Sequence, residues 1–281
     1  MAAPSQIPNL APFILIRGAG EMASAVAWRL YMANLSRICM LELANPLSVR
    51  RRVAFSSALE TGSYIVEGVE ARTAAGIEDI EAAWRDQKIA VTLTADWQAI
   101  SGLSPDVFVD ATLAKRNLGT AIDLAPLVIA LGPGFEAGKN CHLVIETNRG
   151  HDLGRIIESG GAEPNTGIPG GIDGFTAERV LRAPAAGIFE TDLDIGARVG
   201  KGDVIGRIGG QPVTAALDGV LRGLIRAGTE VREGLKLGDI DPRGKLEYCN
   251  TISDKARAIS GSVLEAVMRF YNQPGRHGHP D

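Results

Sequence analysis

The chain has 281 residues, 45% of them apolar, with 29 Lys and Arg against 33 Asp and Glu, a formal charge of −4. That length accommodates one large domain or two ordinary ones, and the acidic balance leaves no electrostatic footprint for nucleic acid. Three widely spaced cysteines, Cys39, Cys141 and Cys249, support neither a disulfide framework nor a zinc site, and no apolar run reaches the roughly 18 residues of a membrane span. The sequence therefore reads as soluble and cytoplasmic, with no nucleic-acid or membrane partner. The single basic run, Arg50-Arg51-Arg52, reads as a solvated loop.

After a polar, proline-containing arm (1–12), Phe13-Ile14-Leu15-Ile16 is a continuous apolar run suited to a strand buried on both faces. It leads into Gly18-Ala19-Gly20-Glu21-Met22-Ala23, a G-x-G-x-x-A turn. A helical stretch follows, and then a second strand, Ile38 to Leu41, ending in Glu42. In that pattern Gly18 permits the tight turn and Gly20 lets backbone approach a pyrophosphate. Ala23 lets helix and strand pack closely, and Glu42 stands where an acid bonds a ribose hydroxyl. The alternative is that the glycines serve packing alone, in a sheet whose nucleotide site is empty.

Residues 50–75 suggest an inserted strand pair around Val53-Ala54-Phe55 and Tyr64-Ile65-Val66. Helical pattern resumes at 77–85, followed by strands at 89–93 and 107–110, a helix near 119–124 and a strand at 127–131. Ligands of open α/β sheets sit beyond the carboxyl ends of strands. That rule adds Thr112, Gly132 and Gly134 to Gly18, Gly20, Ala23 and Glu42 as candidate cofactor-binding residues.

The segment Gly132 to Gly174 holds eleven of the 34 glycines and two of the four histidines. It contains a predicted strand, His142 to Ile145, then Glu146-Thr147-Asn148-Arg149-Gly150-His151, a predicted helix from Asp152 to Glu158, and Thr166-Gly167-Ile168-Pro169-Gly170-Gly171. His151 as proton shuttle, Glu146 orienting it and Arg149 holding an anion form the candidate catalytic set. The competing reading is an internal Glu146–Arg149 pair with His151 bridging. No metal set is assigned. Cys141 is the one thiol beside this stretch, and burial as a structural cysteine is its plainer reading.

From 183 to 240 the sequence repeats at an offset of 32. Ala183, Gly187, Gly196, Val199, Gly202, Gly206 and Ile208 recur as Ala215, Gly219, Gly228, Val231, Gly234, Gly238 and Ile240. This implies two hairpin units about a pseudo-twofold. The pattern resembles biotinyl and lipoyl carrier domains. The position of their modified lysine is here Ile208-Gly209-Gly210-Gln211-Pro212, so no biotin or lipoyl attachment is expected. Asp239-Ile240-Asp241-Pro242-Arg243 reads as a turn held by Asp and Arg, with a magnesium or acid/base role as the alternative. Thr251 to Asp254 supplies cap-type residues for a last helix whose stripe, Ala256, Ile259, Val263, Leu264, Val267 and Phe270, faces the body. The expected organisation is a Rossmann-like α/β domain with a parallel sheet (1–175), a small all-β barrel-sandwich (180–245), a helix (251–272) and a tail (273–281).

Taken together, IRGAGEMAS, RRRVAFSSA, VDATLAK, GPGFEAGKN, ETNRGHDLGRII, PNTGIPGGI, LRAPAAGIF, LRGLIRAG, KLGDIDPR and TISDKARAI make the chain resemble accessory proteins of the selenium-dependent molybdenum hydroxylase system. Those proteins are distantly similar to xanthine dehydrogenase maturation factors. The resemblance implies a maturation role: binding the molybdenum cofactor, as molybdopterin or its dinucleotide, while the terminal chalcogen ligand is installed in a client hydroxylase. A phosphorylated pterin or nucleotide would be its small-molecule partner. Two alternatives stand beside it, an NAD-dependent oxidoreductase and a non-catalytic scaffold for the client.

Overall fold

A computed structural model describes residues 10–94, 102–165, 167 and 170–273. The arm 1–9, Thr166, Ile168, Pro169 and the tail from 274 lie outside the described residues.

The first half builds one nine-stranded sheet in the order β3-β4-β5-β2-β1-β6-β7-β8-β9. Its strands are β1 (Ile14–Arg17), β2 (Ile38–Glu42), β3 (Ser63–Val66), β4 (Val69–Thr73), β5 (Ile89–Leu93), β6 (Val107–Asp110), β7 (Leu127–Leu131), β8 (Leu143–Ile145) and β9 (Ile156–Ile157). Side chains alternate across it with the period of a strand. Ile14, Ile16, Met40, Val91, Val109 and Ile129 line one buried face, while Phe13, Leu15, Cys39, Leu41, Ala90 and Phe108 line the other. Helix α1 (Glu21–Met32) covers the first face and α3 (Ile77–Arg85) the second.

The Rossmann-like parallel domain expected from the sequence is corrected. The sheet is mixed, since β3–β4 and β8–β9 pair antiparallel at its two edges, and helices are few. A doubly wound fold needs helical crossovers on both faces. Here the β6–β7 connection carries only a single 3-10 turn, Ile122–Leu124, and no helix intervenes between β7 and β8. The chain there cannot continue a helix: Leu113, Lys115, Gly119, Gly132, Gly134 and Gly138 all adopt positive φ. The expected helix over 152–158 gives way to turns and β9, because Gly154 sits at φ +85° and a Cβ there would lie 2.9 Å from Ser262 Oγ. The expected strand over 53–55 is instead a pair of 3-10 turns leading into the four-residue helix α2 (Ala58–Thr61).

The face that β7 and β8 present without a crossover helix is covered from the far end of the chain. Helix α4 (Asp254–Tyr271) lies alongside α1, and Ala256, Ile259, Val263 and Val267 join the same core as Ile129 and Ile145. The Ser253 side chain caps it, accepting a hydrogen bond from the Ala256 amide at 3.3 Å.

Residues 180–241 form two four-stranded antiparallel sheets, β10-β17-β15-β12 and β14-β13-β11-β16, around one core. The strands are β10 (Val180–Arg182), β11 (Gly187–Glu190), β12 (Arg198–Val199), β13 (Val204–Ile208), β14 (Gln211–Thr214), β15 (Gly219–Leu224), β16 (Glu230–Val231) and β17 (Lys236–Asp241). The 32-residue offset carries β11, β12 and β13 onto β15, β16 and β17. Each half lends its short middle strand to the other half's sheet: β12 pairs with β15, and β16 with β11. The repeated glycines have a steric reason. A Cβ on Gly206 would meet Glu190 O at 2.5 Å, and one on its equivalent Gly238 would meet Leu181 Cδ1 at 2.8 Å and Gly223 O at 3.0 Å.

The basic run is no solvated loop. Arg50 is buried and bonds Glu21 Oε1 and the carbonyls of Tyr248 and Thr251. Arg51 bonds Leu224 O, and Arg51 and Arg52 both pair with Asp194. Five donors on one short segment thus tie the large sheet to the sandwich and to the approach of α4. No described helix is long and apolar enough to cross a membrane.

Candidate functional site

Where the carboxyl ends of β1 and β8, the outer face of the second repeat unit and the start of α4 meet, they enclose a cleft of about 400 Å³. Its walls carry eight cationic side chains, Arg50, Lys115, Arg149, Arg179, Arg182, Arg222, Lys236 and Lys255, against Glu21, Glu163 and Asp239. Burial makes such an imbalance costly unless counter-charges are supplied.

Part of the compensation is built in. Asp239, 1% exposed, takes hydrogen bonds from Arg179 Nη1 and from Arg222 Nε at 2.8 Å, with Lys236 Nζ 3.9 Å away. Burial alone would raise its pKa, but Lys236, Arg222 and Arg179 outweigh that and hold it below the ordinary Asp value. Asp241, also buried, accepts from Arg243 and lies 3.5 Å from Arg222. The turn after β17 is held by Asp241 and Arg243; among the described residues no three His, Cys, Asp or Glu side chains are placed to hold a metal ion. Arg149 forms a bidentate pair with Asp254, both bonds 2.7 Å, and Arg50 pairs with Glu21.

Three cations have no such counterpart. Lys115, Arg182 and Lys255 form no ion pair among the described residues; Lys115 bonds the Asn165 amide oxygen and Arg182 the Gly234 carbonyl. Burial, reinforced by Arg182, lowers the Lys115 pKa. Burial, reinforced by Arg149, Lys115 and Lys236, lowers that of Lys255.

The residues singled out from the sequence divide around this cleft. Arg149 lines it. Glu146 is 2% exposed and uses Oε1 to accept the amides of Thr147 and Asn148, and Oε2 to accept that of Glu163, each at 2.7 Å. It clamps the loop that positions Arg149, and its carboxylate bonds neither Arg149 nor His151. His151 is exposed on the turn and is not among the lining residues.

The G-x-G-x-x-A turn is closed by protein. Glu42 Oε2 accepts a hydrogen bond from the Ala19 amide at 2.7 Å, and its Oε1 accepts one from the Leu43 amide at 2.8 Å. Ala19 O accepts the Ser56 amide, and Ser24 Oγ accepts that of Phe55. Gly18, at φ +103°, brings the turn within 3.2 Å of Ala111 O, as judged by an added Cβ. Gly20 precedes α1, and Ala23 is buried beneath it. Only Glu21 and Met22 of this turn reach the cleft. Thr112 bonds the buried Asp110 through both its amide and its hydroxyl. A Cβ on Gly132 would meet Thr147 Oγ1 at 2.5 Å, and one on Gly134 would meet Arg116 Cα at 2.5 Å. The two glycines let the Pro133 turn, which lines the cleft, pack against its neighbours.

Sequence reasoning missed Lys115, Arg179, Arg182, Arg222, Lys236 and Lys255. A usable signal was present in the repeat. At the 32-residue offset Arg222, Lys236, Asp239 and Asp241 stand opposite Glu190, Val204, Arg207 and Gly209. The inner-facing positions repeat and these outer ones do not.

No family model matches the chain. It is 49% identical over 273 residues, 97% of its length, to an uncharacterized protein, YqeB, of Escherichia coli (strain K12), and it spans about half (50%) of that curated relative. Among solved structures it is similar to an aspartoacylase family protein from Mesorhizobium loti (14% identity, TM-score 0.27, 82% of this chain and 85% of that one). It is also similar to a succinylglutamate desuccinylase/aspartoacylase from Rhodobacter sphaeroides (15%, 0.26, 82% and 85%) and to product-bound EutE (DoeB), an ectoine utilization protein from Ruegeria pomeroyi (14%, 0.24, 82% and 85%). At such scores these structures lend the chain neither fold nor activity.

The sequence relative is uncharacterized and the solved structures bear aspartoacylase, desuccinylase and ectoine-utilization names; nothing among them points to a molybdenum hydroxylase accessory or a xanthine dehydrogenase maturation factor, and the family resemblance is corrected on that finding. The client hydroxylase, the molybdenum cofactor, the phosphorylated pterin or nucleotide ligand, and the alternatives of an NAD-dependent oxidoreductase and a client scaffold are corrected with it. The geometry agrees. Glu42 is engaged by the amides of its own turn. The thiol suited to chalcogen transfer, Cys141, is buried, its pKa pushed up to about 11 by burial and then by Asp110, and Cys39 is pushed to about 12 by burial.

Proposed function

We propose that the protein binds a small polyanion, carrying two or more charged oxygen groups, in the cleft between the large sheet, the sandwich and α4. The supporting observation is the set of eight cations lining one cavity of about 400 Å³ against three carboxylates, with Lys115, Arg182 and Lys255 left without an ion-pair partner among the described residues. Arg149 is the one member of the sequence-derived set that would touch the ligand. Glu146 would act through the loop it clamps.

Two readings accompany this proposal. The separate cores of the large sheet and of the sandwich support a division into units at 1–175 and 180–245, with the cleft between them. Three unpaired cysteines support a reducing, cytoplasmic compartment.

The test is a thermal-shift and calorimetric titration with citrate, glutarate and inorganic phosphate, each against chloride at matched ionic strength. A ligand at ~100 Kd should add roughly 2.7 kcal/mol of stability, and Lys115→Gln combined with Lys236→Gln should abolish the response. Equal stabilisation by chloride, or an unchanged response in the double variant, would refute the proposal.

A further inference from the structure

The cations of the cleft fall into two chemical groups. All five arginines are fixed by protein oxygens: Arg50 by Glu21 and two carbonyls, Arg149 by Asp254, Arg179 by Asp239 and Gly170 O, Arg182 by Gly234 O, and Arg222 by Asp239 and Asp241. Their guanidiniums are permanently charged and serve as a framework. The lysines are held more loosely. Lys236 is 3.9 Å from its nearest carboxylate, Lys115 has an amide oxygen, and the Lys255 side-chain amine has neither an ion pair nor a hydrogen bond among the described residues.

Lys255 is also placed against the usual preference of its element. It is the second residue of α4, where the helix presents its positive end and a cation is disfavoured. Arg149, Lys115 and Lys236 line the same cleft and disfavour its charge, and Glu21 is the carboxylate that opposes them. Its neighbour Asp254 is engaged by both arms of Arg149, so the one acid of that first turn does not neutralise it. A half-buried amine beside other cations and a helix N-terminus is the setting in which lysine becomes a neutral nucleophile. The burial that lowers the Lys255 pKa acts in the same direction.

We propose that Lys255 captures the carbonyl carbon of a small anionic oxo acid as an imine, with the ligand's carboxylates held by Lys115, Arg182 and Lys236. This rests on the anion-binding reading of the cleft. The neutral Nζ lone pair forms the C–N bond while the carbonyl π pair moves to oxygen. The resulting carbinolamine takes up one proton from solvent and expels that oxygen as water, leaving a protonated imine. No oxidant or reductant takes part.

The experiment uses the full chain with 2-oxoglutarate, and with glutarate as the isostere lacking the carbonyl. Sodium borohydride then reduces any imine to a stable secondary amine, read by intact mass and peptide mapping. The expected result is one adduct, mapped to Lys255, suppressed by excess glutarate and absent from Lys255→Arg, whose circular dichroism checks folding. Stabilisation by glutarate with no adduct, or with adducts scattered over surface lysines, overturns the imine and leaves the anion site standing. An adduct on Lys115 overturns the assignment to Lys255. Silence of both acids while citrate or inorganic phosphate stabilises the protein overturns the imine alone, and silence of all four removes the anion site and the imine together.

Discussion

Replacing Asp239 by Asn tests the electrostatic design of the cleft most directly. Asp239 lies on β17 with 1% of its surface exposed, and Arg179 and Arg222 beside it are nearly as enclosed, at 8% and 11%. Removing one member of a buried ionic cluster leaves the others uncompensated, at about 3–5 kcal/mol. At roughly 2–4 °C per kcal/mol for a chain approaching this size, the melting temperature should fall by on the order of 6–20 °C. The carboxylate's folded pKa lies below its unfolded value, so its contribution is present above the unfolded pKa, about 3.9, and is lost as pH falls through the folded one. The deficit of Asp239→Asn should therefore hold level from neutral pH down to about 5 and narrow below about 4. Urea denaturation of both proteins across that range measures it. A polyanion should restore part of the loss, because the variant cleft carries one more uncompensated positive charge. A deficit under about 1 kcal/mol at neutral pH, or one independent of pH, would show that solvent and not Asp239 neutralises these arginines.

Four further outcomes follow from the same geometry. Asp254→Asn should cost under about 1 kcal/mol, since Asp254 is 72% exposed, yet it frees the Arg149 guanidinium and should tighten citrate binding in calorimetry. Weaker binding would place Arg149 outside the anion's reach. Glu146→Gln turns an acceptor of three amide bonds into a mixed group facing the same N–H donors, so chemical denaturation should show a loss of about 2–3 kcal/mol. Gly134→Ala forces a Cβ to within 2.5 Å of Arg116 Cα at φ +104°, and should destabilise by roughly 1–3 kcal/mol, where no change would mean that the 116 and 134 turns separate easily. A thiol-reactive dye at pH 8 should leave Cys39 and Cys141 untouched until the protein unfolds, because burial holds both as thiols.

Local signals in the sequence locate local structure. The apolar run at 13–16 is found as β1, the glycine turn does precede a helix, and the cap residues before 254 open α4. What a sequence window cannot see is the partner of a charge. Arg149 meets Asp254 across 105 positions, Arg179 meets Asp239 across 60, and Arg50 bonds Thr251 O across 201. Arg50 reads, in isolation, as a solvated surface group, because Arg is seldom buried unless paired. The Glu146-to-His151 cluster divides: Thr147, Asn148 and Arg149 line the cleft, and Glu146 and His151 do not. Five polar residues crowded into six positions look like a site, but the carboxylate among them is consumed by its own loop's amides, which local spacing cannot distinguish from a carboxylate aimed at a ligand.

The internal repeat shows why the cleft has its charge on one side only. In β13, Val204 and Arg207 face solvent, so their side chains need no partners; the same positions of β17 are Lys236 and Asp239, and Asp239 is buried. The second unit is the one whose outer face lies against the large sheet. The Leu224 amide bonds Val49 O, and a Cβ on Gly223 would meet Val49 Cγ1 at 2.8 Å. Both units must fill the same interior, which fixes their shared glycines and aliphatic residues. Only one outer face is enclosed, and an enclosed polar surface has to be either satisfied or used. In this unit Asp239 and Asp241 satisfy Arg179 and Arg222, while Lys236 joins Lys115, Arg182 and Lys255 in an excess of positive charge that the protein's own carboxylates do not cancel. A ligand that brings the missing negative charge completes the packing between the large sheet and the sandwich. Binding should therefore raise the cooperativity of unfolding as well as its midpoint.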